Sequence, residues 1–169
     1  IFFLLDGSRS MDFGTPNKFL YARKLIAALG YIALVNLDRV SVNVFSSRLD
    51  HHFPLSRGKQ SAWRLFEFLN NVPCGQETDL FQSCRSFALR FKKSSVVIVL
   101  SDFLDAGGYE NGLRFLSGSG RDVFVFHILS PEEANPGLTG DIRLTDSETS
   151  QQVDLSISDA LLGKYQNIL

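Results

Sequence analysis

The stretch IFFLLDGSRSMDF, residues 1–13, decides the fold class. Its first five residues are apolar, and a short apolar run that ends at a turn is typical of a strand buried on both faces, as in a parallel sheet. An acid, Asp6, follows directly, and hydroxyl side chains come at alternate positions, Ser8 and Ser10. The stretch therefore predicts a central strand whose carboxyl end carries a cluster of oxygen-bearing side chains.

The rest of the first 130 residues alternates helical and strand-like patterns. Apolar residues at helical spacing predict a helix over 18–37, and alternating valines predict a strand over 39–46. This alternation predicts an α/β fold, with a doubly wound, mostly parallel sheet and helices on both faces. The later predicted elements are a short edge strand over 49–53 closed by Pro54, helices over 59–71 and 79–92, a strand over 96–101, a helix over 109–117 and a strand over 122–129.

The length of 169 residues fits one domain, with a core over 1–130 and an extension over 131–169. Within the extension, the polar segment 140–157 predicts a hairpin of two strands about a turn near 147–151. Residues 158–168 predict a short terminal helix.

Composition excludes several classes of protein. The net charge of −1 gives no footprint for nucleic acid, whose binders are usually basic. Two cysteines, Cys74 and Cys84, are too few for a disulfide framework in a domain of this size, and we expect free thiols in a reducing compartment. No apolar run reaches the length of about 18 residues that a membrane span needs. We expect a fragment of a cytoplasmic protein, which segments outside this sequence could tether to a membrane.

A second acid, Asp102, follows the buried run VVIVLS. Ligands of doubly wound sheets bind beyond the carboxyl ends of the strands, so Asp102 and Asp6 meet there if their strands are neighbours. Carboxylates and hydroxyls are the ligands that hard cations prefer, and Mg²⁺ needs only a few of them. Thr78, which opens the helix at 79–92, adds a hydroxyl. Turn formation and helix capping are the alternative roles of these residues.

These five positions, in this order, resemble the metal-ion-dependent adhesion site of the von Willebrand factor A domain. The resemblance extends from Ile1 to about Leu129. It implies that Ser8, Ser10 and often Thr78 bind Mg²⁺ directly, and that Asp6 and Asp102 act largely through water. It also implies that a carboxylate of a protein partner completes the coordination. Mn²⁺ and Ca²⁺ stay open as alternatives to Mg²⁺.

A narrower resemblance is to one bacterial branch, the domain-of-unknown-function-fifty-eight family. It is carried by DGSRSM, DRVSVNVFSS, IVLSDFLD and the tail LTGDIRLTDSETSQQ. This resemblance implies a partner or adaptor for a MoxR-type AAA ATPase, with no enzymatic activity. The branch usually has glycines just before the threonine, whereas this sequence has Gln76 and Glu77 there.

Residues that flank the five positions should form the rim of the site. We expect them to set the choice of partner, because a metal contact alone cannot discriminate among carboxylates. The expected rim residues are Arg9, Met11, Phe13, Glu77, Phe103 and Asp105. No catalytic residues are expected.

Two alternatives stay open. LLDGS is similar to the first motif of haloacid-dehalogenase-like phosphatases, which bind Mg²⁺ and need a nucleophilic aspartate two residues before Asp6. Leu4 stands at that position, and an alkyl chain cannot attack phosphorus. The other alternative is a structural domain with a vestigial metal site, because a fold does not imply a function.

Overall fold

The computed structural model describes residues 1–46, 49–75, 78–105, 107–118, 120–137, 140–145 and 152–168. Five strands form a mostly parallel sheet in the order β3-β2-β1-β4-β5. β1 pairs in parallel with β2 and β4, β4 pairs in parallel with β5, and β3 is antiparallel to β2. The strands of this sheet are β1 (Phe2–Asp6), β2 (Arg39–Phe45), β3 (Leu49–Arg57), β4 (Val96–Ser101) and β5 (Asp122–His127).

Helices cover both faces of the sheet, so the predicted α/β class is confirmed. α1 and α2 pack on one face, where Phe3 and Leu5 of β1 point, and α3 and α4 pack on the other face against Phe2 and Leu4. The helices are α1 (Lys18–Val35), α2 (Ala62–Asn71, preceded by a 3-10 turn over Lys59–Ser61), α3 (Leu80–Arg90), α4 (Glu110–Ser117), α5 (Pro131–Ala134) and α6 (Asp159–Ile168).

β1 is the central strand because every residue in it is buried. The five residues alternate between the two cores, which explains why the run is apolar without interruption. Its neighbours are in register, with Leu5 opposite Val44 of β2 and opposite Leu100 of β4. Asp6 therefore lies at the carboxyl end of the sheet, directly beside Ser101.

The edge strand is longer than its sequence pattern predicts. β3 continues through Pro54 to Arg57, because the pairing with β2 shifts register between Val40 and Val42. A proline is tolerated on an edge strand and at such an irregularity, since no neighbouring ladder needs its missing N–H. The prediction that Pro54 closes the strand was therefore wrong.

The extension contains the expected polar hairpin strands, β6 (Gly140–Thr145) and β7 (Gln152–Ile157), which pair antiparallel. The turn expected near 147–151 lies outside the described residues. α5 was not predicted from the sequence, because one helical turn is too short for a periodic pattern. None of the helices in the described part of the chain combines the length and apolar composition that a bilayer crossing demands.

Candidate metal centre

Three loops meet at the carboxyl end of the sheet, and backbone hydrogen bonds hold them together. The loop after β1 accepts a bond at Gly7 O from Gly75 N at 3.0 Å. The start of α3 is joined to the end of β2 by Asp79 N and Ser46 O at 3.1 Å. The loop after β4 is joined to α3 because Leu80 N donates to the Asp105 carboxylate at 2.7 Å. All five predicted site residues lie in or beside these loops.

Asp6 and Asp102 are both buried, each 2% exposed. Because Leu5 pairs with Leu100, Asp6 faces Ser101 across the sheet and Asp102 lies one residue further along. The expectation that their strands are neighbours is thus confirmed. Two buried carboxylates at the ends of adjacent parallel strands repel each other and are costly without a counter-charge.

Hydrogen bonds orient the Asp6 carboxylate. Its Oδ1 accepts from Ser8 N at 2.9 Å, and its Oδ2 accepts from the Ser101 hydroxyl at 2.5 Å. Burial, and then the charge of Asp102, raise the pKa of Asp6 to about 7, although these hydrogen bonds oppose the shift. The local environment therefore disfavours the charged form of Asp6 when no cation is present.

The two serines present their hydroxyls together. Ser8 Oγ and Ser10 Oγ lie 3.0 Å apart, and Ser8 is completely buried whereas Ser10 is partly exposed. Residues at alternate positions of an extended or turning segment can point to one side, and here they do. Together with Asp6, they form one oxygen-rich cluster.

The structure adds a cation that the sequence analysis did not single out. The Lys18 ammonium is 1% exposed and donates to Asp102 Oδ2 at 2.7 Å and to Glu133 Oε1 at 2.6 Å. Lys18 begins α1, and Glu133 completes the capping box of α5 with Ser130. A buried lysine is rare unless it is paired, but the helical pattern of 18–37 does not show which lysine faces inward.

The residues present fit a divalent cation. When ionised, Asp6, Asp102 and Glu133 carry three negative charges and Lys18 carries one positive charge, so the buried cluster keeps two negative charges. One divalent cation would balance them. The available donors are carboxylate and hydroxyl oxygens, which suit Mg²⁺, Mn²⁺ or Ca²⁺. Among the described residues, no group of three or more His, Cys, Asp or Glu side chains is placed to hold a metal, so a site here would depend on the serine and threonine hydroxyls.

Thr78 lies in the loop that immediately precedes α3 and is partly buried. Its neighbour Asp79 caps α3 by accepting from Gln82 N at 2.8 Å. Capping, the alternative role considered for this segment, is thus carried by Asp79. Gln76 and Glu77 lie outside the described residues.

The expected rim is only partly at the surface. Arg9 and Phe13 are exposed, and Phe103 and Asp105 are partly exposed. Met11 is 0% exposed and belongs to the core under α1, so its place in the rim was wrong. Its position between polar residues hides that Met11 N bonds back to Ser8 O and turns the side chain inward. Glu77, the remaining rim residue, is not described.

Phe103 has a backbone φ of +57°, in the left-handed region that non-glycine residues seldom adopt. Its N–H donates to Ser101 Oγ at 2.9 Å, and its ring meets Tyr109 and His127 edge to face at 5.4 and 5.7 Å between centroids. Such conformations persist only where the surroundings impose them, often at functional sites. The chain therefore turns sharply directly after Asp102.

Comparison with protein families places this fold and this cluster in context. The family model described as "Protein of unknown function DUF58" matches residues 1–168. Uncharacterized proteins of Mycobacterium tuberculosis and Mycobacterium bovis are 23% identical over 167 residues, which is 96% of this chain and 52% of each relative. The chain thus spans about half the length of the curated relatives it matches.

Solved structures share the fold. An aerotolerance-related membrane protein from Bacteroides fragilis, crystallised with multiple mutations to serine, aligns with a TM-score of 0.56 and 20% identity over 98% of this chain and 87% of that one. Proximal thread matrix protein 1 from the mussel byssus aligns with a TM-score of 0.57 and 19% identity over 73% of this chain and 34% of that one. At these identities the likeness concerns the fold alone.

Proposed function

The chain belongs to the DUF58 family of proteins of unknown function, and on this premise we propose that it is a metal-dependent protein-binding module. Its site would hold Mg²⁺, or Mn²⁺ or Ca²⁺, at Asp6, Ser8, Ser10, Thr78 and Asp102. The arrangement corresponds to the metal-ion-dependent adhesion site of von Willebrand A-like domains.

One observation carries this proposal. Asp6 and Asp102 are each 2% exposed at the ends of neighbouring strands, and the only lysine on the buried cluster, within the described residues, also neutralises Glu133. Buried charges are normally paired or bound to a metal. A divalent cation removes the imbalance that otherwise raises the pKa of Asp6.

Each residue of the chain has a defined part in this function. A bound Mg²⁺ would supply a positive charge that attracts a carboxylate of the partner. Ser8 and Ser10 offer adjacent hydroxyl ligands. Ser101 and Ser8 N hold the Asp6 carboxylate in place, and Lys18 holds Asp102. The exposed Arg9 and Phe13 would then discriminate among partners.

The partner we propose is an AAA ATPase of the MoxR type, with this domain as its adaptor, in the cytoplasm or tethered to the membrane by other segments. The support is the resemblance of DGSRSM and IVLSDFLD to the bacterial branch described above. No nucleic acid is needed for this function, in line with the net charge of −1.

We expect no phosphatase activity. Leu4, at the position where a phosphatase would need its nucleophile, is 1% exposed and packs in the core between β1 and α3. A buried alkyl side chain cannot form the phosphoryl-aspartate intermediate.

An open coordination position can be tested with Mn²⁺ in place of Mg²⁺. Mn²⁺ bound to the domain with exchangeable water should enhance the relaxation of water protons. Acetate, a stand-in for the partner carboxylate, should displace that water, lower the enhancement and tighten Mn²⁺ binding. Asp6→Ala should lose the enhancement, and Asp122→Ala, which removes an exposed acid at the opposite end of the sheet, should keep it.

Two outcomes would contradict the proposal. If the parent gives no enhancement, or Asp6→Ala gives the same enhancement as the parent, the metal does not bind at this cluster. If p-nitrophenyl phosphate is hydrolysed by the Mg²⁺-loaded parent and not by Asp6→Ala, the phosphatase alternative replaces the binding module. Capture of the MoxR-type ATPase by the parent, but not by Asp6→Ala, would support the partner.

A further inference from the structure

An apolar cavity lies beside the candidate metal centre and has no part in holding the ion. Its volume is about 580 Å³, within the range of roughly 300–1,000 Å³ common for ligand sites. The loop after β1, the α5 segment, β6, β7 and α6 enclose it. Its lining includes Phe13, Pro136, Leu144, Leu155, Leu161 and Tyr165. We call it the flank cavity.

The flank cavity is continuous with the centre. Phe13 belongs to the same loop as Ser10, and the Lys18 ammonium lies 5.9 Å from the Phe13 ring centroid. Glu133 lines the cavity and bonds to Lys18, which in turn bonds to Asp102. The bonded oxygens of Glu133 and Asp102 therefore lie at most about 5.3 Å apart, the sum of the two distances. A ligand in the cavity is thus within one residue's reach of the centre, since successive Cα atoms are about 3.8 Å apart.

The walls of the cavity select the kind of side chain that fits. Phe13, Leu144 and Leu161 are 49%, 43% and 37% exposed, so apolar surface is left for a ligand to cover. The charged residues that line it, Glu132 and Glu133, are both acidic. The cavity therefore disfavours a second carboxylate and accepts an apolar side chain.

We propose that the flank cavity is the specificity pocket of the module, and that the partner is a protein segment in which a bulky apolar residue adjoins the acidic residue that reaches the metal. This inference rests on the proposed function. It adds what the metal cannot supply, namely discrimination between one carboxylate and another.

Two glycines provide matched variants. A Cβ atom at Gly137, which lines the flank cavity, would meet no atom within 4 Å, and the same holds for Gly163 of α6, which is not among the lining residues. Gly137→Phe should therefore fill the cavity without disturbing the core, and Gly163→Phe should add the same side chain elsewhere. Leu161→Gln offers a second route, because it makes the wall polar without filling the cavity. Circular dichroism would verify the fold of each variant.

The probes are the capped peptides acetyl-Leu-Asp-Leu-amide and acetyl-Ser-Asp-Ser-amide, titrated into the Mg²⁺-saturated chain and followed by NMR chemical shifts. We expect the leucine peptide to bind about tenfold more tightly than the serine peptide, as burial of an apolar side chain implies. Gly137→Phe and Leu161→Gln should lose most of this preference, Gly163→Phe should keep it, and all three should bind Mg²⁺ like the parent.

The outcomes separate this inference from the proposed function. If the parent binds Mg²⁺ but shows no preference, or Gly137→Phe and Leu161→Gln both keep the preference, the flank cavity is not the specificity pocket. If the parent binds no Mg²⁺, the proposed function fails and this inference fails with it.

Discussion

At the scale of single residues, Asp6 is the most informative position in the chain. It is 2% exposed, hydrogen-bonded through both carboxylate oxygens and close enough to Asp102 for the two charges to interact. A residue kept for stability alone would not be placed in this way, because its charge is unfavourable in the metal-free fold. Function and stability therefore oppose each other at this site.

Asp6→Asn should make the metal-free domain more stable at pH 8. Asn keeps an oxygen that can accept from Ser8 N, and it removes the repulsion by Asp102. Because the pKa of Asp6 is raised to about 7 in the folded state, the parent gains stability from the protonated form at acid pH and loses it as the pH rises from about 4 to about 7. The difference in melting temperature should therefore be largest at pH 8 and should shrink towards pH 5.

The control for this variant is Asp122→Asn, which changes an exposed acid at the other end of β5 and should leave the melting temperature almost unchanged. If Asp6→Asn melts below the parent at pH 8 in the absence of metal, the account of Asp6 as a strained charge is wrong.

Lys18 should be essential for stability. Lys18→Met leaves Asp102 and Glu133 without their common counter-ion, and removing one partner of a buried pair costs about 3–5 kcal/mol. Lys24→Met, on the exposed side of the same helix, should cost about 0.5 kcal/mol or less. Urea unfolding of the metal-free proteins measures both values. Equal midpoints for the two variants would show that the Lys18 ion pairs contribute nothing to the fold.

At the scale of elements, the strands and long helices could be predicted because their periodicity reflects burial. β1, β4 and α1 agree with their predicted ranges to within two residues. The failures have local causes. β3 passes Pro54 because an edge strand has no neighbour on its outer side, and α5 is shorter than the window in which helical periodicity can be detected.

Packing against the sheet differs sharply between residues of the same type. Phe87 of α3 is 0% exposed and contacts Phe2 edge to face at 5.4 Å, whereas Phe124 of the edge strand β5 is 57% exposed. Phe87→Ala should cost about 3–5 kcal/mol in the free energy of unfolding, and Phe124→Ala about 1 kcal/mol or less. Chemical denaturation of both variants would test this, and a larger loss for Phe124→Ala would mean that the β5 face is covered.

The two cysteines should be unreactive in the folded domain. Both are free thiols, and burial is the main cause that raises the pKa of Cys74 and of Cys84 to about 12. The thiolate is the reactive form, so a disulfide reagent at pH 8 should react with the native protein at least about tenfold more slowly than with the urea-unfolded protein. Rapid reaction of either thiol in native buffer would contradict this description.

At the scale of the whole molecule, the parallel sheet creates the site by bringing distant loops to one edge. Asp6 and Asp102 are 96 positions apart in the chain and meet because β1 and β4 are neighbours. This part could be predicted, because strand ends converge in any doubly wound sheet. Lys18, Glu133 and Ser101 could not, because no sequence pattern distinguishes a buried partner of a carboxylate from an ordinary helical, capping or strand-end residue.

The burial of Met11 shows the same limit. It stands between Ser10 and Asp12, which suggests a surface loop, yet a backbone turn directs it into the core under α1. Positions along a loop therefore say which residues are near a site, whereas the direction of each side chain depends on turns that only the three-dimensional structure gives.

The measurement that tests the central claim most directly is a calorimetric titration of the metal-stripped domain with Mg²⁺, for the parent, Asp6→Ala and Asp122→Ala. The account predicts binding at one site per chain for the parent and Asp122→Ala, and none for Asp6→Ala. No heat of binding with the parent, or the same affinity for the parent and Asp6→Ala, would contradict it.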